Sequence, residues 1–131
     1  MKSLFVAEKY YTPQVSFNIE NSLFEITGES FSEYSMDFYE PILSWLEAYT
    51  QQYSQTILFN FKVSYFNTSS SRRFYEILKI LDGYHKAAKG YVMVNWFASP
   101  DDMDMIESGE DFKEDFDMPF EIVLKERSLV A

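Results

Sequence analysis

Apolar and polar positions follow two periods along this chain, and the changes of period mark its elements. Val15-Ser16-Phe17-Asn18-Ile19-Glu20 alternates strictly, as a strand with one buried face does. Leu23-Phe24-Glu25-Ile26-Thr27-Gly28 reads as a second strand, with Asn21-Ser22 as a two-residue turn between the two. A short edge strand is expected over residues 4–7. The period then lengthens. Phe38, Ile42, Trp45, Leu46, Tyr49 and Tyr53 recur at three- and four-residue steps, one face of a helix. Pro41 is tolerable in a first turn, so the regular helix is expected to begin near it. Residues 56–66 start almost wholly apolar, which suits a central strand covered on both faces at its start.

A second helix carries Phe74, Ile77, Leu78, Leu81, Tyr84 and Ala88 on one stripe, with Gly83 inside it and Gly90 as its expected C-terminal cap. Residues 91–97 form the next strand. Ser99-Pro100-Asp101-Asp102 has the form of a helix start, with Ser as cap and Pro at the first helical position. Met105, Gly109, Phe112 and Phe116 then line a short acidic helix, and residues 119–124 close the fold as a strand. From residue 126 to 131 a loose tail is expected. A hairpin followed by alternating strands and helices predicts a single α/β domain, a mixed sheet with helices packed against it.

Composition changes this picture in three ways. Thirteen Phe and ten Tyr exceed what one small core needs, so some are expected at a contact surface. Cysteine is absent, which removes disulfides, thiolate nucleophiles and Cys-based zinc sites. The formal charge is −10, and it is concentrated: between Asp101 and Asp117 nine carboxylates face Lys113 alone. Such a field repels phosphate backbones and anionic headgroups, so neither nucleic acid nor membrane is the expected partner. No apolar run suits a signal peptide or a membrane span, and a cytoplasmic protein is expected.

Little in the chain signals catalysis. His85 is the single histidine and has no nucleophile or orienting partner in sequence, so it reads as a structural or exposed helix residue. Asp102-x-Asp104 resembles the start of a calcium loop, but Glu107 stands where that loop requires Gly. Phosphate cradles, nucleotide fingerprints and nucleophile elbows are missing, and no catalytic, metal or cofactor site is expected.

One segment stands apart. Asn67-Thr68-Ser69-Ser70-Ser71-Arg72 places four consecutive hydroxyls where a buried strand gives way to an amphipathic helix. One of these residues must cap the helix, but a cap needs one residue and not five. A hydroxyl at a helix N-terminus is also well placed to carry a phosphate, whose charge the free N–H groups, the dipole and Arg72 or Arg73 would stabilise. Cap alone and phosphorylation switch both remain open on these grounds.

A resemblance narrows the choice. Residues 36–41 (Met-Asp-Phe-Tyr-Glu-Pro) with Trp45-Leu46, then Phe59-x-Phe61-x-x-x-Tyr65 running into Phe66-Asn67-Thr68-Ser69-Ser70-Ser71, Val94-Asn95-Trp96, residues 107–112 and Pro119-Phe120 together resemble the SiaC family of bacterial regulatory phosphoproteins. That family is similar in fold to the STAS domains of anti-sigma factor antagonists. The resemblance implies a partner-switching protein. A serine/threonine protein kinase would phosphorylate it and a PP2C-type phosphatase would reverse this. The unmodified form would bind and activate a diguanylate cyclase of the GGDEF type, raising cyclic di-GMP and promoting biofilm. It puts the phosphorylated residue at Thr68, with Asn67, Ser69, Ser70, Ser71 and Arg72 as partner contacts. In the anti-sigma antagonists the matching loop reads Asp-Ser-Ser-Gly, against Asn67-Thr68-Ser69-Ser70 here, which favours the SiaC-type circuit over a sigma-factor role. Two other classes stay open: a protein-binding module that needs no phosphorylation, and an enzyme using carboxylates in an aromatic-lined cleft.

Overall fold

The computed structural model describes residues 1–126, so the expected tail lies outside the described residues apart from Glu126. The elements run β1 (Leu4–Val6), β2 (Gln14–Asn18), β3 (Leu23–Ser30), α1 (Ser35–Gln52), β4 (Ile57–Phe66), α2 (Thr68–Lys86), β5 (Val92–Ala98), α3 (Met103–Glu114) and β6 (Phe120–Leu124). The six strands form one sheet in sequence order. β1, β2 and β3 pair antiparallel, and β3 to β6 pair parallel. Each parallel step is a strand–helix–strand crossover in the same direction. Right-handed crossovers then place all three helices on one face of the sheet. The expected mixed α/β layer is the observed one.

That face holds the core. Phe17, Phe24, Phe59, Phe61 and Trp96 are fully buried there. Phe24 meets Tyr49 of α1, Phe61 meets Phe74 of α2, and the Trp96 indole N–H donates to the Met105 carbonyl of α3. The opposite face carries a polar row, in register across Glu25, Asn60 and Asn95. Glu25 accepts from Asn60 at 2.9 Å and from Lys62 at 2.8 Å, and Asn60 accepts from Asn95 at 3.0 Å. Parallel strands are normally covered on both faces. Here a polar row finishes the face that no helix covers, its side chains bonding one another across three strands.

The pairing of β3 with β4 is irregular near the end of β4. Gly28 pairs with Val63 but Glu29 with Tyr65, so β4 carries one extra residue, Ser64. Such a bulge reverses the in–out alternation beyond it. Phe66 therefore turns toward the helices, against Phe74 and Trp96, while Tyr65 turns out to solvent.

The structure revises several local expectations. The β2–β3 loop has four residues, not two: the Asn18 carboxamide oxygen accepts from the Glu20 and Asn21 N–H groups, and Ser22 takes a left-handed φ of 56°. α1 begins at Ser35, so Pro41 lies within it, past the first turn. α3 is capped by Asp102, whose carboxylate accepts from the Met105 N–H at 3.1 Å; Ser99 and Pro100 precede it. At the end of α2 Ala88, and not Gly90, adopts the left-handed conformation, with φ 56°, and its side chain is exposed instead of joining the apolar stripe. Gly90 serves a different need, because a Cβ there would collide with the Gln55 carbonyl oxygen.

Candidate functional site

The hydroxyl run lies where the parallel strands end and two helices begin. β4 stops at Phe66, and Asn67 takes an extended conformation as the cap of α2. Its side-chain oxygen accepts from the Ser70 N–H at 2.8 Å, its amide nitrogen donates to the Ser32 carbonyl, and its backbone N–H donates to the Ser30 carbonyl. The cap is therefore Asn67, and the four hydroxyls after it are not needed for capping.

Those hydroxyls have different fates. Ser70 is fully buried and shares a 2.7 Å hydrogen bond with Ser30, which shares another of 2.7 Å with the Tyr39 phenol. Burial pushes the Tyr39 phenol well above its ordinary pKa, outweighing the Ser30 bond, so this chain of hydroxyls stays neutral. Ser69 is half-buried and shares a short hydrogen bond with Ser35, the first residue of α1. Ser71 is half-buried, and its N–H makes the first intrahelical bond, to Asn67. Thr68 differs from all three: it is exposed, opens α2, and its hydroxyl makes no hydrogen bond among the described residues.

The two bridges, Ser35–Ser69 and Ser30–Ser70, tie the starts of α1 and α2 to the end of β3. They move Ser70 from an expected contact surface to the support beneath it. Arg72, one turn beyond Thr68, is exposed and forms no ion pair among the described residues. Arg73 is engaged, with Glu76 at 2.7 Å and the Met36 sulfur at 3.1 Å. The first turn of α2 contains no acidic residue. Thr68 thus stands at the positive end of a helix, one turn before a guanidinium that has no ion pair among the described residues, in a chain whose net charge is −10.

The acidic helix is built otherwise. Asp102 is spent on its cap, and Asp101 accepts from the Ser99 hydroxyl. Among the described residues no group of three His, Asp or Glu side chains is placed to hold a metal ion. Farther along, Asp82 of α2 is buried and accepts from the N–H groups of Asp117 and Met118, while Lys86 bridges Asp82 at 3.0 Å and Asp117 at 3.3 Å. Sequence reasoning missed Asp82, because its partners lie 35 and 36 residues away. His85 sits on α2 with its ring 6.3 Å from that of Tyr91.

The match to a family model decides the family. The SiaC family of regulatory phosphoproteins matches over residues 6–125, nearly the whole chain. This chain belongs to the SiaC family. The fold of SiaC agrees closely with that of this chain. Apo-SiaC from Pseudomonas aeruginosa superposes with a TM-score of 0.86 at 24% identity, covering 94% of this chain and 99% of that one. SiaC crystallised with the diguanylate cyclase SiaD, of which it is the activator, gives a TM-score of 0.88 at 23% identity, covering 93% and 99%. An uncharacterized protein of Pseudomonas aeruginosa strain UCBPP-PA14 is 24% identical over 122 residues, covering 93% of this chain and 96% of that one. Among the described residues no helix is long and apolar enough to cross a membrane.

Proposed function

We propose that this protein is a non-catalytic partner switch of the cytoplasm, set by reversible phosphorylation of Thr68. The unmodified form binds and activates a diguanylate cyclase. A serine/threonine protein kinase transfers the γ-phosphoryl group of ATP to the Thr68 hydroxyl, and a PP2C-type phosphatase hydrolyses the phosphothreonine. Family membership supports the regulatory role, and the cyclase bound to the Pseudomonas aeruginosa relative supports the class of effector.

One observation carries the choice of residue. In a run of four hydroxyls, Thr68 alone is both exposed and free of a hydrogen-bonding partner among the described residues. A kinase must bring an acceptor oxygen in line with the γ-phosphate. Ser70 is sealed beneath the surface, and Ser69 is held by Ser35. Modification of Thr68 adds about −1.5 to −2 charge at the N-terminus of α2, one turn before Arg72. The dianion would occupy the α2 N-terminus and the Arg72 guanidinium, and its desolvation would penalise any contact made there.

Intact-mass analysis and site mapping after co-expression with the cognate kinase test this assignment. The expected result is a single added phosphate on Thr68, absent from Thr68→Ala. Phosphate mapped to Ser69, Ser71 or another residue, with Thr68→Ala modified as before, would overturn it.

A further inference from the structure

Beside Thr68 the molecule exposes aromatic rings that its own core does not use. Tyr10 is 78% exposed, Tyr11 56%, Tyr34 70% and Tyr65 51%. Three of them gather round one ring, Phe31, which lies edge-on to Tyr10, Tyr11 and Tyr65 at centroid distances of 5.7, 5.3 and 5.9 Å, and Tyr34 shares a cleft with it. The arrangement is held from beneath: the Phe31 N–H donates to the Tyr11 carbonyl at 2.9 Å, and the β4 bulge turns Tyr65 outward. Tyr11, Phe31 and Tyr34 line a cleft of about 400 Å3. An aliphatic side chain fits such a space, and contiguous exposed rings of this kind mark contact surfaces.

A second cleft, of about 310 Å3, adjoins it. Glu33 and Tyr34 line both, and the second continues past Ser35 to Ser69, Arg72 and Arg73. Its two rims differ in charge. Glu33 and Asp37 lie on the α1 side, and the arginines lie on the α2 side. Arg72 forms no ion pair among the described residues, so a carboxylate from outside is its natural complement. The α2 N-terminus favours the same sign.

We propose that these two clefts form one docking surface for an amphipathic segment of the effector cyclase. The segment carries an aliphatic anchor for the Tyr11–Phe31–Tyr34 cleft and, adjoining it, a carboxylate for Arg72. This rests on the partner-switching reading and adds the chemistry of the contact. Thr68 stands at the carboxylate end. Its phosphate competes there for Arg72 and the helix terminus, and it expels the segment by substituting one anion for another.

Calorimetric titration of the full chain against the purified diguanylate cyclase tests this, with sedimentation velocity on the same samples. Tyr11→Ala and Tyr34→Ala are each expected to weaken binding at least about tenfold. Arg72→Glu is expected to weaken it by more than Arg72→Gln. Tyr91→Ala, exposed elsewhere, keeps wild-type affinity. Melting temperatures within a few degrees of wild type separate lost contacts from lost folding. Wild-type affinity in all the cleft variants overturns the docking surface while leaving the cyclase as partner. A wild-type chain that binds no cyclase overturns the partner reading itself. A dimer that the cleft variants turn into monomers assigns the surface to a second copy and overturns the inference.

Discussion

Two glycines on helices show how far a single residue's role depends on what stands opposite it. Gly83 of α2 has nothing within 4 Å of where a Cβ would be. Gly83→Ala therefore changes only backbone freedom and helix propensity, and it is expected to stabilise the protein by about 0.4–1 kcal/mol. Gly109 of α3 has the Trp96 ring pressed against that point and the Ile122 side chain 2.8 Å from it. Gly109→Ala forces the helix off the indole that donates to it, and overpacking of this kind costs about 1–3 kcal/mol. Urea unfolding of both variants reads the opposite signs directly. The sequence placed Gly109 on the buried stripe but could not show how close Trp96 comes, because that distance is set by packing. The cap of α2 was legible only in part: the sequence required one of residues 67–71 to cap the helix, and the bond from the Ser70 N–H to the Asn67 side chain decides for Asn67 over the serines.

At the scale of elements, the apolar pattern located the strands and helices, with β1 legible only as a short apolar run, and the departures lie at the element ends and at the β4 bulge. α1 starts six residues before Pro41, and its first turns are joined to neighbouring elements through Ser35–Ser69 and Tyr39–Ser30. The Ser35–Ser69 contact spans 34 residues, and no local propensity contains it. The joint between α2 and the turn into β6 has the same character. Asp82 is buried, which opposes its charge, yet hydrogen bonds from Lys86 and from the Met118 and Asp117 N–H groups together hold its pKa below the ordinary value. A depressed folded pKa means that the ionised form stabilises the fold. That contribution is complete above the unfolded value of about 3.9 and is lost as pH falls through the lower folded value. The melting temperature of Asp82→Asn is accordingly expected to fall less steeply than that of wild type below about pH 4, and to lie below wild type at neutral pH. Parallel slopes at acid pH would remove this role. Glu25, held below its ordinary value by Asn60 and Lys62 against the cost of its burial, titrates in the same direction in both proteins and does not blur the comparison.

For the whole molecule, the layout decides where function can lie. Three helices cover one face of the sheet, a polar row finishes the other, and the carboxyl ends of β3 and β4 deliver Ser30 and Phe66 to the starts of α1 and α2. At that end the hydroxyl run, the exposed Arg72 and the exposed tyrosines come together. The hydroxyl run was legible in the sequence as an excess over what a cap requires. The surplus of aromatic residues was also visible there, but their gathering round Phe31 was not, since it joins residues 10 and 11 to residues 31, 34 and 65.

The central claim is that one phosphate at Thr68 separates this chain from its effector. Phosphothreonine installed at position 68 by genetic-code expansion needs no kinase and leaves every other hydroxyl unmodified. Its affinity for the diguanylate cyclase, measured beside that of the unmodified chain, is expected to fall at least about a hundredfold, the equivalent of two charge-assisted contacts of about 1.5 kcal/mol each. Equal affinities for the two forms would contradict the account.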